Sequence, residues 1–111
     1  MAVLSNHDDV IAAIRERCEV RVTWPSQDDG GQMQTRRCAP MDYGPGKIAR
    51  NRQPRYHFWD LESDSGKNHT LSLRADQISE VMILDTTFDP ANFVSWKTDW
   101  VLPRDTWGGF N

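Results

Sequence analysis

The hydrophobic period of this chain changes near Glu19 from that of a helix to that of strands, and this change restricts the fold more than any other feature. Before it, Val10, Ile11, Ala13 and Ile14 make one apolar stripe at helical spacing, with Arg15, Glu16 and Arg17 facing water. Ser5 or Asn6 is placed to accept bonds from the first free N–H groups, and Asp8 and Asp9 sit where the positive helix end favours acids. Residues 5–17 are therefore predicted as a short helix. One stripe means one buried face, so this helix packs on something else.

After Glu19 the period is two. Val20, Val22 and Trp24 alternate with Arg21 and Thr23 up to Pro25, and Ser26–Gly31 is turn chemistry. A second strand is predicted from about Gln32 to Met41. It carries Met33, Thr35, Arg37 and Ala39 on one side and Gln34, Arg36 and Cys38 on the other, with Pro40 marking an edge or bend. Tyr43–Gln53 reads as an exposed loop rich in glycine and basic residues. In Arg55–Leu61, Tyr56 and Phe58 oppose His57 and Trp59. Asp64–Lys67 reads as a hairpin turn. His69–Leu73 follows with Leu71 and Leu73 inward, then a one-turn 3₁₀ segment or tight turn at 74–77 and a fifth strand at Ile78–Leu84. One helix and five short strands joined by tight turns predict an α+β, mainly β domain, with the helix packed on a small antiparallel barrel.

At 111 residues the chain fits one domain, with residues 1–85 as helix plus barrel and 86–111 as a C-terminal extension. Apolar content of 38% and charged content of 26% suit a soluble protein, and no run approaches the roughly 18 apolar residues of a membrane span. MAVLSNHDD lacks the basic-then-apolar order of a signal peptide, so a cytoplasmic protein is expected. The extension holds Trp96, Trp100 and Trp107 with Phe88, Phe93 and Phe110, too aromatic for simple disorder. A helical turn at Asp89–Val94 is predicted, with Asp89 as cap and Pro90 at the first position. The tail either wraps the barrel as extra core or offers Trp96, Trp100 and Trp107 to a partner; on a helix, Trp96 and Trp100 would share one face.

The functional lead is charge. Between Arg36 and Arg55 lie six basic side chains (Arg36, Arg37, Lys47, Arg50, Arg52, Arg55) and a single acid, Asp42, in a chain of net charge -3. A local excess opposite to the bulk attracts an anionic partner. Guanidinium forks on strands beside Tyr56, His57 and Trp59 combine phosphate recognition with rings for base stacking, and Arg74 extends the set. Six phosphate contacts would lose about a thousandfold in affinity between low and moderate salt.

Catalytic and metal chemistry are less well signalled. His7, His57 and His69 lack metal-like spacing, and Cys18 and Cys38 form no CxxC and read as small buried hydrophobes. Asp28-Asp29, and the alternating Asp60, Glu62 and Asp64, read as solvated acids. Gly44-Pro45-Gly46-Lys47 lacks the spacing of a phosphate loop. With no nucleophile–base or acid pair apparent, no enzyme, cofactor or metal is expected.

Several segments together resemble the WYL domain: Ala13-Ile14-Arg15 with Val20–Trp24, Arg37-x-x-Pro40, Arg55-Tyr56-His57-Phe58-Trp59-Asp60, and Leu71-Ser72-Leu73 through Asp76-x-Ile78. The resemblance covers residues 8–84. It implies a five-stranded Sm-like or SH3-like barrel and a regulatory module that binds nucleic acid or nucleotide-like ligands through basic and aromatic residues. Of the three-residue signature only Tyr56 is retained, and Gln77 stands where an arginine is expected. The expectation is a stand-alone module recognising single-stranded nucleic acid or a phosphorylated ligand. The alternative is an assembly module that uses the Trp-rich tail and a strand edge for a homodimer or another protein.

Overall fold

A computed structural model describes residues 3–27, 30–46, 52–62 and 69–111. Helix α1 spans His7–Glu16, and five strands follow: β1 (Cys18–Ser26), β2 (Gln32–Pro45), β3 (Pro54–Asp60), β4 (Thr70–Leu73) and β5 (Glu80–Thr87). They form one antiparallel sheet in the order β4-β3-β2-β1-β5. The sheet is mainly local hairpins and is open, with β4 and β5 at its two edges. Three 3₁₀ turns, at Ala75–Gln77, Pro90–Asn92 and Gly108–Phe110, complete the described elements. No helix among the described residues is long and apolar enough to cross a membrane.

Helix α1 ends at Arg17, whose φ of 59° is left-handed, and the chain turns at once into β1. The β1–β2 connection uses Gly30 (φ 68°) and Gly31 (φ 85°), a conformation that costs glycine little. Asp89 caps the Pro90–Asn92 turn by accepting the Ala91 N–H at 3.0 Å. Strand β2 runs farther than predicted, through Pro45, because Tyr43–Pro45 pair with Pro54–Tyr56.

Both faces of the sheet are covered. On one face Val20, Val22, Cys38, Tyr56 and Phe58 pack under Val10 and Ala13 of α1. On the other, Ala39 and Met41 meet Ile14, Phe88, Phe93, Val94 and Trp107. The tail is thus a second core layer. Trp107 is 2% exposed, and its indole N–H donates to the Ile14 carbonyl at 2.7 Å. Residues 96–107 form no helix; Trp96 and Trp100 meet instead as an edge-to-face pair at 6.2 Å.

A bulge in β2 redirects the last third of that strand. Pro40 pairs with Phe58 and Asp42 with His57, so Met41 is an extra residue on β2. Beyond it the alternation is inverted. Tyr43 joins Tyr56 on the α1 side, while Asp42 and Gly44 turn to the tail side with His57 and Arg55.

Candidate functional site

The tail crosses the β2–β3–β4 part of the sheet and leaves a cleft of about 520 Å³ between itself and the strands. Arg55 and His57 of β3, Thr70 and Ser72 of β4, and Trp96 and Trp100 of the tail line it. The volume lies in the range of small-ligand sites. Alternation places the strand residues together: Arg55 and His57 are two apart on β3, as Thr70 and Ser72 are on β4, and His57 pairs with Ser72.

The tail is held at this cleft by Asp42, which is 8% exposed. Its carboxylate accepts the backbone N–H groups of Tyr43, Val101 and Leu102, each at 2.9 Å. The Arg104 guanidinium adds a contact at 3.5 Å. Arg104 itself stands over the Trp100 and Trp107 rings, 4.5 and 4.4 Å from their centroids. Burial draws its pKa down to about 10, against the opposing pull of Asp42, so it stays cationic at neutral pH. Gly44 permits the close approach of the tail, since a Cβ there would lie 2.8 Å from a Val101 methyl.

His57 is fixed at both nitrogens. Its Nε2 lies 2.9 Å from the Gly44 carbonyl, which can only accept, so Nε2 carries a proton. In the neutral ring Nδ1 is then an acceptor, and it lies 2.8 Å from the Ser72 hydroxyl. Arg55 donates from Nη1 to the Ser72 carbonyl at 3.3 Å.

The basic residues singled out from the sequence are dispersed rather than convergent. Arg36 and Arg37 are adjacent on β2 and point to opposite faces. Arg36 lies 3.7 Å from Asp60, and Arg37 2.9 Å from the buried Glu19, which also accepts the Thr86 hydroxyl. Arg74 pairs with Asp76 at 3.0 Å, which holds the Asp76 carboxyl below its ordinary range, and it borders a separate cleft beside Trp24. Arg52 is exposed, and Lys47, Arg50 and the turn predicted at 64–67 lie outside the described residues. Arg55 alone of the described set enters the tail-side cleft.

Two expected contact residues are core instead. Tyr56 is 1% exposed; its hydroxyl accepts the Leu4 N–H at 3.1 Å and meets His7 Nδ1 at 2.7 Å, so it holds the chain before α1 rather than a ligand. Burial raises its pKa. Trp107, expected as a partner contact if the tail were exposed, is sealed in the second core. Trp96, at 39% exposure, remains at the surface, and Trp100 is half-buried. Cys38 is fully buried, and burial, reinforced by Asp60 and Glu62, pushes its thiol far above the usual range. Sequence reasoning missed the His57–Ser72 pair and the part played by Asp42. Among the described residues no group of three or more His, Cys, Asp or Glu is gathered for a metal ion. Comparison with protein-family models, with curated proteins and with solved structures finds no match for this chain.

Proposed function

We propose that the chain is a regulatory ligand-binding module that takes a phosphorylated or nucleotide-like small molecule into the cleft under the tail. Arg55 holds the anionic group and the Trp96 and Trp100 rings take a base or other flat apolar part. The observation that carries this reading is the position of Arg55. Among the described residues it makes no ion pair and donates to a backbone carbonyl, in a cleft that also presents two indole rings. Asp76 feels the Arg55 charge and Asp42 and Asp99 share the cleft, but with its direct bond on a neutral carbonyl the guanidinium has N–H groups to give an anionic group, and charge-assisted bonds are the strong ones. A WYL-like, Sm-like barrel belongs to the same proposal, supported by the order of one helix followed by five antiparallel strands. The alternative, an assembly module, has support in the edge strands β4 and β5 and in the exposed Trp96 and Val101.

Titration of tryptophan fluorescence with nucleoside monophosphates tests the proposal, with single-stranded oligonucleotides as a parallel series. Saturable quenching that weakens with salt and is about 10- to 100-fold weaker in Arg55→Ala is the expected result. No response to either series, or one unchanged in Arg55→Ala, removes it. Size-exclusion chromatography over a range of concentrations reports on the assembly reading.

A further inference from the structure

We infer that Ser72 and His57 form a nucleophile–base pair, and that the cleft accepts the acyl group of a small ester. A hydroxyl attacks well only when a base removes its proton and something orients the base. All three parts are present. The Ser72 hydroxyl lies 2.8 Å from His57 Nδ1, and the Gly44 carbonyl, 2.9 Å from Nε2, fixes the tautomer that leaves Nδ1 free to accept. That carbonyl belongs to a residue paired in the β2–β3 ladder, with Val101 lying close against it. Both side chains line the cleft, and Arg55 lines it beside them.

The step balances with groups on the chain. Ser72 Oγ bonds to the ester carbonyl carbon while its proton moves to Nδ1, giving an imidazolium whose Nε2–H points at the Gly44 carbonyl dipole. Arg55, which lines the cleft and has further N–H groups beyond the one given to Ser72, stabilises the developing oxyanion. The carbon–oxygen bond of the leaving group breaks, and the departing alkoxide takes the proton from Nδ1. Water then attacks acyl-Ser72 with the same ring as base and releases the acid. Acyl transfer here requires an open cleft but not a particular ligand, so it stands or falls separately from nucleotide binding.

The experiment uses p-nitrophenyl acetate on the full chain, with peptide mass spectrometry to locate the acetyl group. The expected result is release of p-nitrophenolate with acetyl on Ser72, abolished at that position in Ser72→Ala and slowed about a hundredfold in His57→Asn. As a second reading that survives a weak acylation signal, Ser72→Cys is alkylated by iodoacetamide faster than the Ser72→Cys/His57→Asn double variant. Absence of acetyl from Ser72, or equal rates with and without His57 in either assay, overturns the inference.

Discussion

At the β1–β2 side of the sheet Arg36 stands 3.7 Å from Asp60 and Arg37 2.9 Å from Glu19, whereas on β3 Arg55 donates to the Ser72 carbonyl at 3.3 Å. The same residue type thus meets carboxylates in one region and neutral backbone beneath a tryptophan-lined cleft in the other. Where each cation has its own acid, the local field is cancelled and a charge run in the sequence becomes a set of short-range pairs. Where the direct partner is a carbonyl, the guanidinium keeps N–H groups for an anion, even with Asp42 and Asp99 along the same cleft. The count of basic residues is therefore a poor guide to a binding surface, and the identity of each partner is a better one.

The largest test of this contrast concerns the tail that forms the cleft's roof. Trp107→Ala should cost about 3–5 kcal/mol in urea unfolding, the usual loss for truncating a buried large aromatic. A cost near zero would mean the tail is detachable and the cleft transient. Arg55→Ala should weaken nucleotide binding about 10- to 100-fold by fluorescence titration, the worth of one charge-assisted bond. The same assay on Arg36→Ala and Arg37→Ala should give wild-type affinity; a loss equal to that of Arg55→Ala would erase the distinction between the two regions. Gly44→Ala should destabilise by about 1–3 kcal/mol through overpacking against Val101, readable as a lowered melting temperature.

The smallest effects belong to the paired arginines. Arg36→Ala should change stability by less than about 1 kcal/mol, as half-exposed pairs do. Arg37→Ala should cost more than Arg36→Ala, because Glu19 is only 8% exposed and would keep the Thr86 hydroxyl alone among its described side-chain partners. Equal costs in chemical denaturation would show that Glu19 is better solvated than its burial implies.

Only part of the site's face was legible in the chain alone. Alternation put Tyr56 and Phe58 opposite His57 and Trp59, and Leu71 and Leu73 inward, but among the described residues the basic-aromatic set expected to bind contributes only Arg55 to the cleft. The pairing of His57 with Ser72 was not legible, since the register depends on how the two strands close across their connection. The buried role of Tyr56 was equally hidden: its hydroxyl bonds to Leu4 and His7, about fifty residues away in sequence.

The sequence by itself determined the order of one helix and five strands, the turn at Gly30 and Gly31, and the capped turn at Asp89, because each arises from local periodicity or backbone preference. Only the tertiary structure decided which arginines meet acids, that Trp107 is core, and that the bulge at Met41 turns Asp42 and Gly44 toward the tail. Those outcomes depend on contacts between segments distant along the chain, where one extra residue in a strand reverses the direction of every side chain beyond it.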